Sequence, residues 1–137
     1  MTMSTPTQPL SVTVSFVSLL CRDIVAQAEF YHRLLGFGYL TELESEHFRA
    51  LQSDGPILGF SGPGAFDLLN IPHRDLGMTG TTFWTFGVKD EATVDAAVST
   101  AESLGARVVK APFRTYYGAW QAVLADPEEN LFRFSCQ

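Results

Sequence analysis

The chain has 137 residues, of which 46% are hydrophobic and 18% charged, so one domain with an ordinary hydrophobic core is expected. The formal net charge of −6 argues against a nucleic-acid partner or an anionic membrane, because an acidic surface repels both. No apolar run approaches the roughly 18 residues of a membrane-spanning helix. The acidic charge would suit a cationic or a neutral partner.

The ends of the chain and its cysteines indicate a cytoplasmic protein. Residues 1–10 lack the basic and apolar regions of a signal peptide, and we expect a flexible leader there, before a single domain at 11–137. Cys21 and Cys136 have no metal-like spacing and fall in strand-like runs. Buried thiols in a reducing compartment are the expected result.

The first half of the domain has the pattern of a strand, a helix and three further strands. The apolar, β-rich run at 12–21 predicts a strand, and Asp23 is placed to cap the helix that follows. Gly36 is expected to end that helix. Its apolar side chains recur at helical spacing: Ile24, Ala28, Tyr31 and Leu35. Strand-like runs follow near 37–43, 46–52 and 56–61.

The second half repeats this order. Phe16 to Asp23 reappears in similar form 67 residues later, from Phe83 to Asp90. A strand at 81–88, a helix ending at Gly105, and strands near 106–112, 119–125 and 130–136 are expected. The sequence thus predicts an α+β fold of two βαβββ modules, with the helices covering one face of mixed, mostly antiparallel sheet. The modules span about 12–62 and 81–136, with a linker of about 63–80.

Three local patterns carry a resemblance to a known superfamily. They are Ala28-Glu29-Phe30-Tyr31 with Leu34-Leu35-Gly36-Phe37, then residues 101–106, and then the turn and strand start at 126–132, where Glu129 replaces the usual glycine. In order and spacing they resemble the vicinal oxygen chelate superfamily, which includes glyoxalase I, extradiol dioxygenases, fosfomycin-resistance transferases and bleomycin-resistance proteins. The resemblance implies two βαβββ modules whose sheets curl around a shared cavity.

The positions that hold the metal in this superfamily carry unsuitable residues here. Metal-dependent members take His and Glu ligands from equivalent strands of the two modules. The corresponding positions in this sequence are Phe16, Gly59, Phe83 and Arg133. A phenyl ring has no lone pair to donate, and a guanidinium stays protonated and repels a cation. We therefore predict that the usual metal site is lost, and we expect no cofactor.

A cavity without a metal requires other recognition groups. Strand alternation places Phe16, Phe83 and Arg133 on the cavity side, where Arg133 suits a carboxylate, a phosphate or an enolate. The full set of predicted ligand-binding residues is Phe16, His47, Arg49, Phe83, Tyr116, Trp120 and Arg133. The alternatives are core packing for the phenylalanines, a carboxylate partner for Arg133, and loop packing or a dimer contact for Tyr116 and Trp120. His32 and His73 are expected to be solvated or locally hydrogen-bonded.

Three hypotheses for the function follow from these residues. The favoured one is metal-independent binding of a small aromatic or planar molecule, as the resemblance to bleomycin-resistance proteins implies. The alternative is a glyoxalase-like enzyme with a metal-free or displaced-metal site, in which His47, Tyr116 or Glu46 would carry acid–base chemistry. The third is a closed cavity with a role at the protein surface. The resemblance also implies a homodimer. The expected partners are therefore a small-molecule ligand and a second copy of the chain, without nucleic acid or membrane.

Overall fold

The computed structural model describes residues 9–11, 13–70, 72 and 82–137, and it contains the two predicted modules. The first consists of β1 (Phe16–Leu20), α1 (Ile24–Leu35), β2 (Gly38–Tyr39), β3 (Phe48–Gln52) and β4 (Ile57–Ser61). A short helix, α2 (Ala65–Leu68), follows it. The second module consists of β5 (Trp84–Gly87), α3 (Glu91–Ser103), β6 (Arg107–Arg114), β7 (Trp120–Ala125) and β8 (Leu131–Cys136). The α+β fold of paired βαβββ modules is confirmed.

Each module forms its own four-stranded mixed sheet. The strand orders are β1-β4-β3-β2 and β5-β8-β7-β6, and the first strand of each module runs parallel to the last strand of the same module. The other pairings are antiparallel. Both sheets are open, and neither closes into a barrel around the cavity that the resemblance implied.

Several strands are shorter than the sequence predicts. β1 occupies only the end of the run at 12–21, and β2 occupies two residues of 37–43, because the chain turns into a single 3₁₀ turn at Thr41–Leu43. The connection after β4 contains α2, which the sequence analysis did not predict. Residues 71 and 73–81, which include His73 and the start of the strand predicted at 81–88, lie outside the described residues.

The helix boundaries follow the capping residues closely. Asp23 Oδ1 accepts a hydrogen bond from the Ala26 backbone N–H at 3.0 Å, and Asp90 Oδ1 accepts one from Thr93 at 2.8 Å. Gly36 ends α1 in the left-handed conformation with φ of 73°, which costs glycine little because it has no Cβ. The repeated aspartate thus marks the same structural position in both modules.

One hydrophobic core joins the two modules on their helix-facing sides. Tyr31 of α1 is fully buried, and its ring lies 5.7 Å from that of Phe60, 5.2 Å from Trp84 and 5.7 Å from Phe132. Phe60 belongs to the first sheet, whereas Trp84 and Phe132 belong to the second. Because α1 contacts both sheets, it fixes the position of one module against the other.

Buried hydrogen bonds strengthen this junction. Asp126, in the turn between β7 and β8, is 1% exposed, and its Oδ2 accepts hydrogen bonds from Tyr31 Oη at 2.7 Å and Gln27 Nε2 at 2.9 Å. The carboxylate of Glu128 accepts the backbone N–H groups of Arg22 at 2.7 Å and Asp23 at 2.9 Å. The last turn of the second module is therefore bound to the start of α1.

Cys21 and Cys136 are buried free thiols, as expected. In the ranges that the structure describes, no helix has the length and apolar character needed to cross a membrane.

Candidate ligand-binding face

The side of each sheet that faces away from the helices is called here its open face. Alternation along β5 and β8 is as predicted. On the helix side, Phe132, Phe134 and Cys136 are buried in the core, and the partly buried Trp84 and Phe86 pack against it. Phe83 is 53% exposed, and Thr85, Arg133 and Ser135 also point away from the core.

Arg133 is held on the second open face by two neighbours. Its Nε donates a hydrogen bond to Thr85 Oγ1 at 2.6 Å, and its guanidinium lies 5.0 Å from the centre of the Phe83 ring. Within the described ranges no carboxylate forms an ion pair with it, so the expected alternative of a carboxylate partner has no support there. The guanidinium is fixed over an exposed ring and keeps donor groups for another molecule.

The first open face is apolar at the equivalent place. Gly59 pairs with Ser18 on β1, and Arg133 pairs with Thr85 on β5. Ser18 and Thr85 are separated by the 67 residues of the repeat, so Gly59 and Arg133 occupy equivalent positions, as the sequence analysis assumed. A Cβ at Gly59 would lie 2.9 Å from the Phe48 ring and 2.6 Å from Ser18 Oγ. The ring of Phe48 thus occupies the space over Gly59.

Phe16 belongs to this first face. It is 46% exposed, and its ring lies 6.4 Å from that of Phe48. Phe16 and Phe83 are therefore exposed aromatic residues with separate neighbours, which does not match the alternative in which both are buried as core.

Two further strands extend the second open face. Lys110 on β6 pairs with Val123, which in turn pairs with Arg133. Phe113 pairs with Gln121, and Lys110 Nζ lies 3.8 Å above the centre of the Phe113 ring. The sequence analysis missed Lys110 and Phe113 because β6 has register shifts on both sides of Lys110, which break simple alternation. Within β6, Pro112 is the one residue in the sequence that signals irregular strand pairing.

Tyr117 and Gln121 complete the described part of this face. Tyr117 Oη donates a hydrogen bond to Gln121 Oε1 at 3.2 Å. Gln121 is 5% exposed and pairs with Ser135 of β8. Polar groups therefore lie next to the aromatic rings, as small-molecule recognition requires.

Two of the predicted residues lie away from both open faces. Arg49 pairs with the core residue Phe60, so it points to the helix side, where it donates to the carbonyls of Phe48 and Ser45. It lines a separate cleft of about 230 Å³ beside α1. Trp120 also lies on the helix side, and its Nε1 donates to Asp95 of α3 at 2.9 Å. These contacts give both residues structural partners away from Phe83 and Arg133.

His47 and Tyr116 are at the edges of the molecule. His47 is exposed just before β3, with Nε2 3.3 Å from Glu46 Oε1 and its ring beside Gly64. Tyr116 is 99% exposed in the connection between β6 and β7. Of the seven predicted ligand-binding residues, the structure brings Phe83 and Arg133 together and places Phe16 on the corresponding face of the first module. The binding role of all seven remains a prediction.

His32 has a local partner, as expected. Its Nδ1 lies 2.7 Å from the Phe37 carbonyl oxygen, and its ring lies 4.5 Å from that of Tyr39.

A cleft with a volume of about 450 Å³ lies between the modules. It is bounded by the end of α1, the hairpin at 53–56, β5 and α3, and Thr85 is among its lining residues. The cleft therefore meets the second open face along β5.

The residues at the metal positions do not fit a metal ion. Phe16, Phe83, Gly59 and Arg133 offer no anionic or lone-pair donor, and the Phe48 ring fills the space where a longer side chain at Gly59 would extend. In the described part of the chain, no three His, Cys, Asp or Glu side chains are grouped so that they could hold a metal ion.

The paired βαβββ modules define a glyoxalase-type domain. The chain belongs to the glyoxalase-like domain family, whose model matches residues 12–135. This family is consistent with the vicinal oxygen chelate superfamily, so the resemblance seen in the sequence is confirmed.

Solved structures agree with this assignment. A glyoxalase/bleomycin resistance protein/dioxygenase family enzyme from Burkholderia phytofirmans PsJN is 33% identical over 91% of this chain and 98% of its own, with a TM-score of 0.84. A glyoxalase-related enzyme from Fulvimarina pelagi is 16% identical over 90% and 87%, with a TM-score of 0.81. Lactoylglutathione lyase from Agrobacterium tumefaciens is 18% identical over 94% and 96%, with a TM-score of 0.68. The last two show the fold alone. No curated protein sequence gives a significant match.

Proposed function

We propose that this protein binds a small aromatic or planar molecule on its second open face, without using a metal ion. The observation that carries the proposal is the pair formed by Arg133 and Phe83, at positions where metal-dependent members of the superfamily have ligands. An exposed ring beside a fixed guanidinium offers a stacking surface and directional donors in one place. The adjoining cleft of about 450 Å³ is within the size range of small-molecule sites.

Thermal unfolding against a panel of neutral and charged planar aromatic compounds tests this proposal. A ligand at about 100 times its Kd stabilises the native state by about 2.7 kcal/mol, which raises Tm measurably. We expect Phe83→Ala to reduce the shift, because it removes the stacking surface. Leu68→Ala is the matched control, since Leu68 is 67% exposed on α2, which is not one of the strands that form this face. A panel that leaves Tm unchanged in protein free of bound ligand would contradict the proposal.

A glyoxalase-like enzyme with a metal-free or displaced-metal site is the second candidate. The observation in its favour is that the 33% identical Burkholderia structure is described as an enzyme of the family. Elemental analysis of protein purified without a histidine tag tests the displaced-metal version, because a stoichiometric divalent ion would be found. For the metal-free version, any turnover detected should fall in Arg133→Ala and not in Leu68→Ala.

A further inference from the structure

The second open face carries two cations in one transverse row. Arg133 on β8 pairs with Val123 on β7, and Val123 pairs with Lys110 on β6. Residues paired in this way point to the same face of a sheet. Since neighbouring strands lie about 4.8 Å apart, the two backbone positions are roughly 10 Å apart.

Each cation is placed over an aromatic ring. The Arg133 guanidinium lies 5.0 Å from the centre of Phe83, and Lys110 Nζ lies 3.8 Å from the centre of Phe113. These contacts hold the charges over the sheet surface, which reduces the side-chain entropy that a ligand would otherwise have to remove.

No acidic side chain of the described chain occupies a register position on this face. The described positions of β5, β6, β7 and β8 on this face carry neutral or basic side chains, and one of the basic ones, Arg107, forms an ion pair with Glu129 at 2.6 Å. The whole chain, in contrast, has a net charge of −6. Two cations without an ion-pair partner among the described residues attract anions more strongly than the rest of this acidic surface does.

The equivalent face of the first module lacks this feature. Its row contains Ser18, Gly59 and Ala50, and the aromatic pair Phe16 and Phe48 lies above them. The charge is thus specific to one module, and the shared fold does not account for it.

We propose that the ligand is a planar aromatic acid whose carboxylate binds Arg133, and that Lys110 binds a second acidic group at the far end of the same molecule. This inference rests on the proposed function, because it concerns the same face. Arg133 is the stronger anchor, since a guanidinium can bind a carboxylate through two hydrogen bonds whereas an ammonium acts as a point charge.

Isothermal titration with three matched probes tests the charge requirement. The probes are naphthalene-2-carboxylate, the neutral 2-naphthamide, and naphthalene-2,6-dicarboxylate. We expect the affinity for the monocarboxylate to exceed the affinity for the amide by about tenfold or more. This is the difference that a charge-assisted contact typically makes. The dicarboxylate should bind more tightly again, and the affinity of both acids should fall as salt is raised.

Two variants separate the roles of the cations. Arg133→Met should remove about tenfold or more of the affinity for both acids and leave the amide unchanged. Lys110→Met should remove only the additional affinity of the dicarboxylate. Arg33→Met, which removes an exposed cation from α1, is the control and should change none of the three. Arg133→Lys should recover part of the loss, and thermal unfolding confirms that each variant is folded.

The outcomes distinguish this inference from the function on which it rests. If the amide and the acids bind equally, or if Arg133→Met leaves acid binding unchanged, the anionic ligand class is wrong while aromatic binding stands. If the neutral aromatic panel shifts Tm but neither acid binds at millimolar concentration, this inference alone is overturned. If no member of the panel and none of the probes binds, both are overturned.

Discussion

At the scale of single residues, Gly59 shows most directly how this chain departs from a metal-binding relative. The position is equivalent to Arg133, and the Phe48 ring and Ser18 leave no space for a side chain there. A glutamate could be introduced only if Phe48 moved. The absence of a metal-ligand side chain at Gly59 and the presence of the Phe48 ring are therefore linked, because the ring occupies the space that such a side chain would need.

We predict that Gly59→Ala lowers the free energy of unfolding by roughly 1–2 kcal/mol, because the new methyl group displaces the Phe48 ring. In a Phe48→Leu background the cost should shrink, and urea denaturation of the four proteins gives the coupling. Gly38→Ala is the control, since nothing lies within 4 Å of its added Cβ. Equal costs for Gly59→Ala with and without Phe48 would contradict this interpretation.

Two buried groups that lose a proton only in alkali, the Cys21 thiol and the Tyr31 hydroxyl, predict how stability depends on pH above neutrality. Burial and the charge of Glu128 raise the pKa of the Cys21 thiol above its ordinary value of 9.0, and burial and the neighbouring Asp126 raise the pKa of Tyr31 above 10.0. The native state keeps these protons after the unfolded chain has lost them. The free energy of unfolding should therefore fall as pH rises above about 9 for Cys21 and about 10 for Tyr31, by up to about 1.4 kcal/mol per pH unit for each group.

Denaturation series between pH 8 and 11 check this prediction. Cys21→Ala should remove the decrease that begins near pH 9, and Tyr31→Phe should reduce the steeper part above about pH 10. Tyr39 also contributes there, because burial and the neighbouring Glu29 raise its pKa above 10.0. The slope is the measured quantity, because both variants also lower stability at neutral pH. An unchanged slope in both variants would assign the effect to other groups.

At the scale of elements, strands and helices differ in how well the sequence predicts them. The bounds of α1 are correct because Asp23 and Gly36 are local signals for its start and end. β6 is the opposite case. Its two register shifts arise from long-range pairing with β7, so the alternation that correctly orients β8 gives no information about Lys110 or Phe113.

The contact between α1 and the turn before β8 also could not be predicted from the sequence. The pattern at 126–130 predicts a turn, but nothing in it indicates that Asp126 accepts hydrogen bonds from Tyr31 and Gln27. Such contacts join side chains about a hundred positions apart, where neither periodicity nor spacing carries information.

We predict that Asp126→Asn destabilises the protein by about 2–4 kcal/mol, because an amide cannot accept from all of the buried donors around this side chain. Urea denaturation measures the change. Glu102→Gln, on the exposed side of α3, is the matched control and should stay within about 0.5 kcal/mol. A similar small effect for both variants would show that the buried network contributes little.

At the scale of the whole molecule, the sequence predicts the two-module plan and the family but not the shape of the binding face. The plan follows from a repeated order of capping residues and apolar runs, each of which is local. The face depends on which residues pair across strands. Alternation along β5 and β8 correctly predicts the side on which Phe83 and Arg133 lie, whereas Arg49 and Trp120, which the sequence analysis predicts in the same site, lie on the helix side.

The open sheets suggest that a second copy of the chain covers part of their surface. Val14 and Phe16 are 70% and 46% exposed, which is unfavourable for apolar side chains in water. We predict a homodimer at micromolar concentration, with twice the mass of one chain by light scattering. Phe16→Glu should weaken the dimer and Leu68→Glu should not. A monomer in the unsubstituted protein would refute this prediction.

The contacts between Glu128 and the start of α1 have a consequence for the order of events in synthesis and folding. The backbone N–H groups of Arg22 and Asp23 donate to an acceptor that lies 106 and 105 positions later in the chain, respectively. A nascent chain that has not yet reached Glu128 already contains the whole first module. It still lacks the carboxylate that binds the start of α1. We therefore expect folding to be slow and late, governed by closure of this long loop, although α1 and α3 carry strong local signals.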